Sequence, residues 1–563
     1  MKFAILILAC TGLMTAQDRD AGFRQLADRY FDEVYFPFNP TSGTSSGFHQ
    51  YDSPLEDYSA AGIRAQIEAL KRFLAEVEQF RRAGLSVEAA SDYDILLGHI
   101  RGSLLTLERI RPWEKNPDFY SGNATASIFV IMSRKFAPAG ERLRAVVARE
   151  REIPAMFQAA RANLRNPPRI YTEIALEQLP GIVSFFEKDV PAAFPGVLTD
   201  AFRSGNAAVL DALRAYGEFL KNDLLPQSNG DFRIGAELYR EKLLDDEMVD
   251  TPLAKLLEIG YADLRRNQAE FRKVAAAIDP KRAPAQILEQ AERDHPAPGA
   301  LLDTFRGVLG GLVDFIQTRH IITIPSDVRP ILQETPPFMR ALTFASMDTP
   351  GPYEKVAKEA FFNVTLPGPN WARERVDQHM AAFNRGTIIS TAIHEAYPGH
   401  YVQFLWVPQA PSKVRKLLGA GTNVEGWAHY CEQMMLDEGY RTEDHKLRLG
   451  QIQDALLRDA RYIVGIQMHT GKMTFEQGIE FFVKEGYQAR ANAERETKRG
   501  TADPTYLVYT LGKLQILKLR DDYRRQKGTS FSLQEFHDSF MRQGFPPIRV
   551  VRRALLGGDS PAL

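Results

Sequence analysis

The chain has 563 residues, 44% hydrophobic and 25% charged, with a mean hydropathy of -0.29; this composition supports a large core and excludes disordered, collagen-like and disulfide-scaffold classes. Its 70 Lys and Arg nearly cancel its 71 Asp and Glu, so no global field draws it to nucleic acid or to an anionic membrane. Length alone corresponds to about three to four domains, yet no linker-like segment divides the chain and no fixed-period repeat runs through it.

Residues 1–17 read MKFAILILACTGLMTAQ. One lysine, an apolar run from Phe3 to Leu8 and small residues ending at Ala16 predict a signal peptide over residues 1–16, and with it a secreted or periplasmic protein. The competing reading is a buried first helix. Lipoprotein anchoring through Cys10 is the less favoured route, because the apolar run before that cysteine is short. With residues 1–16 removed, Cys431 is the only cysteine and no intramolecular disulfide can form. Beyond residue 18 nothing approaches the roughly 18 consecutive apolar residues of a transmembrane segment.

From Ala21 to about His320 apolar residues recur at helical spacing, broken by Pro and Gly turns. Ala60 to Leu85 sets Ile63, Ile67, Leu70, Phe73, Leu74, Val77 and Phe80 on one face. A further helix is predicted from Thr251, as N-cap before Pro252, to Ile278. The texture changes between Ile321 and Pro369, a stretch with eight prolines, where Ile321 to Ile324 and Phe361 to Thr365 read as short strands of a small sheet. That stretch is the predicted seam between an N-terminal helical lobe, 17–330, and a catalytic lobe, 331–563. Helices then resume at Trp371 and are predicted at Ser412 to Leu418, Asn423 to Glu438, Thr442 to His469, Thr474 to Glu485, Thr505 to Arg525 and Leu533 to Gln543.

Of 11 histidines, five crowd into the last part of the chain: His394, His400, His429, His445 and His469. Between Arg385 and Lys413 stands an apolar stretch with no Lys or Arg and one acid, Glu395. Burying a carboxylate costs several kcal/mol unless a counter-charge compensates, and a divalent cation on neutral imidazoles does so. A second acidic segment, Glu425-Gly426-Trp427-Ala428-His429-Tyr430-Cys431-Glu432, puts Glu425, His429 and Glu432 on one helix face. Two imidazoles, one carboxylate and an open fourth position make a catalytic zinc site, with a neighbouring Glu left over as base. The histidines are six apart, however, which leaves them about 120° apart around an unbroken helix. Pro398-Gly399 predicts the remedy, a kink or bulge at Tyr397 to Gly399 that swings His400 towards His394.

His394-Glu395-Ala396-Tyr397-Pro398-Gly399-His400, followed by Glu425-Gly426-Trp427-Ala428, resembles the hallmark of the bacterial family known as domain of unknown function 885, HEAxPGH then EGWA. The likeness spans about residues 22 to 545. It takes in Tyr30-Phe31, Gly47-Phe48-His49 before Tyr51-Asp52, Glu334 to Phe338 and the stretch Pro504 to Arg520. That family is similar to the helical gluzincin metallopeptidases. The resemblance implies a mainly α, two-lobed, zincin-like metallopeptidase fold with a small β element and a deep cleft. It implies one zinc ion held by His394, His400 and Glu425, Glu395 as general base, and Tyr509, within Tyr509-Thr510-Leu511-Gly512, as oxyanion donor with Tyr506 as the fallback. It also implies Arg461 and His469 as contacts to a substrate carboxylate or to the transition state. Many members carry Asp four residues after that Arg, where this chain has Gly465. His429 is expected beside the ligands or at the surface, His445 in solvent, and Cys431 in the core.

These readings point to a zinc-dependent hydrolase cleaving peptides. A zinc hydrolase of a non-peptide amide or ester fits the same residues. A catalytically silent helical binding protein fits less well, because a structural zinc site needs no base at Glu395 and closes its fourth position with a protein ligand.

Overall fold

Amphipathic spacing and polar caps set the helices of the computed structural model, which describes residues 16–340 and 343–563. The signal peptide expected over residues 1–16, Ala16 excepted, and Cys10 lie outside the described residues. Helix α1 (Ala60–Phe80) is capped by Ser59, whose hydroxyl accepts the Gly62 amide, and buries Ile63, Leu70, Phe73 and Val77. It stops five residues short of the predicted Leu85. Helix α2 (Ala139–Asn163) continues through Pro154. Helix α3 (Leu253–Ile278) has Pro252, not Thr251, at its N-cap, with no side chain capping it.

Strands β1 (Ile331–Glu334), β2 (Ala345–Asp348) and β3 (Phe361–Val364) form one sheet in the order β1-β3-β2. β1 runs parallel to β3 with Ile331 opposite Phe361, and β2 runs antiparallel to it with Ala345 opposite Val364. Phe362 and Val364 point into the core. Ile321 to Ile324, predicted as a strand, is extended but pairs with no strand. The Ile321 amide closes the preceding helix on the Ile316 carbonyl at 3.0 Å, and side chains meet the rest: His537 Nδ1–H donates to the Ile321 carbonyl at 2.8 Å and the Thr323 amide donates to Asp538 at 2.9 Å.

The rest of the molecule is helical. It includes α4 (Arg373–Ala381), α5 (Arg385–Glu395), α6 (His400–Trp406), α7 (Gly421–Asp437), α8 (His445–His469), α9 (Arg490–Ala502) and α10 (Val508–Lys527). Ser412 and Thr474, the predicted starts of their helices, are their N-caps, while α8 starts at His445 because Asp444 accepts the Leu447 amide, three residues after the predicted start at Thr442. The pattern of residues did not foretell α9: Arg490 to Ala502 has no apolar stripe and is held by charge pairing.

The apolar cores do not divide at residue 330. Phe305 and Leu312 pack with Ile388, Ile393, Trp427 and Phe540, and Leu256, Leu264 and Phe271 of α3 pack with Ile452, Tyr462 and Leu511. The segments 17–330 and 331–563 thus share their interiors, and α8, buried along most of its length, runs through the shared one. No helix among the described residues is long and apolar enough to cross a membrane.

Helix α2 carries two adjacent buried charges that face opposite ways. Arg149 donates to the Pro54, Ser127 and Tyr51 carbonyls. Glu150 accepts from Asn206 Nδ2 at 3.0 Å, and its other oxygen has no partner among the described residues. Burial, opposed by the Asn206 contact, pushes the Glu150 carboxyl up to about 7. A carboxyl raised in the folded state contributes stability that is complete below its unfolded value and is lost as pH rises through the folded one. Glu150→Gln, which keeps the Asn206 contact, should therefore gain about 3 kcal/mol relative to the parent between pH 4 and pH 8. Chemical denaturation at the two pH values measures this, and parallel curves would place the pH sensitivity elsewhere.

Candidate metal centre and its cavity

Asn384 starts α5, its side-chain oxygen accepting the Gly386 and Thr387 amides at 3.0 Å. The helix is buried on all sides and ends at Glu395; the chain crosses Ala396 to Gly399 outside helical geometry and resumes as α6 at His400. Pro398 brings no N–H, and the Gly399 amide turns back to the Ile393 carbonyl at 3.0 Å. A Cβ on Gly399 would lie 1.8 Å from the His394 carbonyl oxygen, so only glycine fits. Trp427 Nε1–H pins the loop by donating to the Pro398 carbonyl at 2.9 Å. With the helix interrupted, the His394 and His400 rings stand 4.8 Å apart between centres, nearly perpendicular.

Helix α7 brings the carboxylate. Glu425 Oε2 lies 3.5 Å from His394 Nε2 and 3.4 Å from His400 Nε2, and one ligand atom from each of the three residues falls within 4.8 Å of the others. Ligands at about 2.1 Å from a tetrahedral zinc stand about 3.4 Å from each other. Both the donor set, two nitrogens and an oxygen, and the two shortest separations fit that ion. Helix α7 can come this close because Gly426 meets Gly512 of α10: a Cβ on Gly426 would lie 2.5 Å from the Gly512 Cα. The same contact sets Tyr509, one turn before Gly512, against the site.

Two turns after Glu425, Glu432 is fully buried and collects three donors. His394 Nδ1–H reaches it at 2.6 Å, His429 Nδ1–H at 3.2 Å and Arg458 at 3.2 Å. The first contact commits Nδ1 of His394 and leaves Nε2 facing Glu425, the orientation a metal-binding imidazole needs. His429 is thus an interior partner of Glu432, not a surface residue. Burial would raise the Glu425 carboxyl, but hydrogen bonds from His394 and His400 hold it well below the usual carboxylate range. Burial would lower His394, but Glu425 and Glu432 outweigh it and push it up to about 9. The imidazoles therefore sit in surplus negative charge, which a cation neutralises.

The site opens into a cavity of about 1230 Å³, lined by His394, Glu395, His400, Glu425, Arg461 and Tyr509 among others. The Tyr509 ring lies nearly parallel to His394, 6.3 Å between centres, and its hydroxyl accepts from Arg499 at 3.0 Å. Tyr506 is buried outside the cavity, its ring filling the space over Gly465; a Cβ there would lie 2.8 Å from that ring. An Asp at 465 would have to displace Tyr506. Arg461 finds its carboxylate on α9 instead, forking onto Glu496 at 2.7 and 2.9 Å.

His469 is not brought to the site. Eight residues beyond Arg461 it lies about 12 Å further along α8, where its Nε2–H donates to the Gly500 carbonyl at 2.8 Å and its ring packs on Phe232. His445 is exposed. Cys431 is buried, its thiol raised by burial and so unreactive. Sequence reasoning missed Glu432 as the orienting carboxylate, although its place on the Glu425 face was visible. Arg458, three residues before Arg461 and so on its face of α8, was also missed.

A family model described as "Bacterial protein of unknown function (DUF885)" matches residues 40–555. The solved structure of a candidate lipoprotein of unknown function from Shewanella oneidensis is similar to this chain, with a TM-score of 0.78 at 28% identity, covering 95% of this chain and 99% of that one. A candidate lipoprotein from Colwellia psychrerythraea has a TM-score of 0.77 at 18% identity, covering 97% of this chain and 99% of that one, a likeness that bears on fold alone. No curated protein matches the chain.

If the close approach at Gly399 shapes the centre, Gly399→Ala should cost about 3 kcal/mol or more of stability. Gly140→Ala, where a Cβ meets nothing within 4 Å, should stay within about 0.5 kcal/mol. Thermal melts of the two variants make the comparison, and equal melting temperatures would show that the loop yields.

Proposed function

This chain belongs to the DUF885 family of bacterial proteins, and we propose that it is a zinc-dependent hydrolase that cleaves peptides. The observation that carries this reading is the convergence of His394, His400 and Glu425 on the wall of a large cavity that Glu395 also lines. One ion per chain is proposed, in a zincin-like arrangement with the ligand helices at the floor of the cavity. Bound there, zinc would supply Lewis acidity, polarising a carbonyl and lowering the pKa of water to about 7.

The chain's own residues supply the rest. Glu432 fixes His394 through Nδ1–H, so Nε2 is presented without a search among ring orientations. Glu395, which follows His394 directly and lines the cavity, accepts the proton of the attacking water and returns it to the leaving amine. Tyr509 accepts from Arg499, which leaves its own O–H free to point at a developing oxyanion. Arg461, whose Nε and Nη2 fork onto Glu496, holds α9 against α8 and adds its charge to the cavity wall. The lipoprotein description of the Shewanella relative supports a site of action outside the cytoplasm, secreted, periplasmic or anchored.

Metal analysis of the purified protein should give about one zinc per chain, and His394→Ala should abolish it; unchanged metal content would remove the ligand assignment. Glu395→Gln should keep the metal and lose roughly 100- to 10,000-fold in kcat/KM on peptides found by a mass-spectrometric library digest. A library left intact by the wild type would instead favour a non-peptide amide or ester, or a silent binding protein. Glu432→Gln should weaken zinc binding by roughly 10- to 100-fold, read by chelator competition.

A further inference from the structure

The cavity beside His394 also holds guanidinium groups that no carboxylate among the described residues satisfies. Helix α9 presents Arg495 and Arg499 four residues apart on one face. Arg499 is engaged by the Tyr509 hydroxyl and by Asp503 at 3.4 Å, and Arg461 is engaged by Glu496. Arg495 has no such partner. One of its terminal nitrogens donates to Asn492 Oδ1 at 2.8 Å, its Cζ lies 3.6 Å from the centre of the Phe344 ring, and its buried Nε has no acceptor. Among the described residues no carboxylate comes within ion-pair distance of it. Arg375 of α4 lines the same cavity, its Cζ 4.1 Å from the Trp371 ring centre and likewise unpaired with any described carboxylate. Burial first, and then the like charges of Arg461 and Arg375 against the pull of Glu496, bring the Arg495 guanidinium down to about 10.

We propose that Arg495 and Arg375 form a subsite for a carboxylate of the substrate, in the cavity that the metal ligands share. The proposal rests on the peptide-hydrolase reading and names what such a peptide must carry. A half-buried cation with a vacant N–H has lost much of its hydration without gaining a counter-ion, and an incoming anion restores that loss. Guanidinium presents paired donors in a plane that matches a carboxylate. Phe344 and Trp371 lie against the two guanidinium groups, which restrains their side chains and reduces the rotamer freedom lost on binding. The carboxylate is either the C-terminus of the peptide, which makes the enzyme one that trims from that end, or an acidic side chain.

Calorimetry on the full chain carrying Glu395→Gln separates the cases. Its probes are N-acetyl-tetraalanine as free acid, the same peptide as C-terminal amide, and an amide with Glu at the second position. The free acid should bind roughly 10- to 100-fold more tightly than the plain amide, and Arg495→Ala should erase that ratio. Arg375→Ala, which alters an exposed side chain and leaves the fold intact, should reduce it several-fold. A Glu-bearing amide that matches the free acid, and loses its advantage in Arg495→Ala, assigns the subsite to acidic side chains; preference for the free acid alone assigns it to the C-terminus. Equal binding of acid and plain amide, with no gain from Glu, overturns the subsite, as does a preference that survives both arginine variants. Hydrolysis of peptides by the wild type without any carboxylate preference leaves the peptidase reading standing and removes this one. Preference for a carboxylate with no hydrolysis does the reverse.

Discussion

An unbroken helix would hold His394 and His400 about 120° apart around its axis, and the four residues from Ala396 to Gly399 remove that separation. Their geometry depends on contacts from outside the helix. Pro398 withholds a backbone donor, Gly399 allows its backbone to pass against the His394 carbonyl, and Trp427 of α7 ties the Pro398 carbonyl. Because Trp427 stands two residues after Glu425, the group that holds the loop and the group that completes the ligand set are placed by one helix. The Gly426–Gly512 contact extends the same constraint to α10, and so to Tyr509. Breaking and anchoring the first helix therefore organises three others.

Buried charge forms a second layer behind the ligands. Glu432 is stable in an apolar interior because two imidazoles and Arg458 surround it, and Arg458 is in turn balanced by Asp454 at 3.3 Å. Lys513 of α10 pairs with Asp263 of α3 at 3.0 Å, while Asp459 accepts from Asn267 and Thr510. Each ion removed from water costs several kcal/mol unless its partners are well placed, so this chain of alternating charges permits few rearrangements of α3, α7, α8 and α10. Arg495 stands out against that background. Its neighbours on the cavity wall, Arg458 and Arg461, each have a carboxylate partner, whereas Arg495 has none among the described residues, and that contrast motivates the anion subsite proposed for it.

Much of this was legible in the residues. Where a helix was expected between stated bounds, as at Ala60, Asn423 and Thr474, amphipathic spacing located it to within about five positions, since burial of one face is a local pattern. The interruption at Pro398-Gly399 was visible because proline and glycine act on their own backbone. Where partners lie far away in sequence, the pattern was silent. Ile321 to Ile324 looked like a strand, but its backbone is met by His537 and Asp538. Helix α9 has no apolar face, and its place depends on pairs such as Glu496 with Arg461 that no local rule encodes. His469 shares a helix with Arg461, yet eight residues of rise and the Gly500 carbonyl take it out of the cavity.

By itself, then, the sequence determined a mainly helical chain of the DUF885 family and identified the two histidines and the glutamate that converge, because the breaking of a helix and the spacing of ligands along it are properties of neighbouring residues. Tertiary structure alone decided which charges were already spent. Glu496 occupies Arg461, Glu432 occupies one nitrogen of His394, and no described carboxylate pairs with Arg495. Those assignments depend on distances between groups tens to hundreds of residues apart, and the strength of an ion pair is set by separation and burial in space, neither of which is written in the order of the chain.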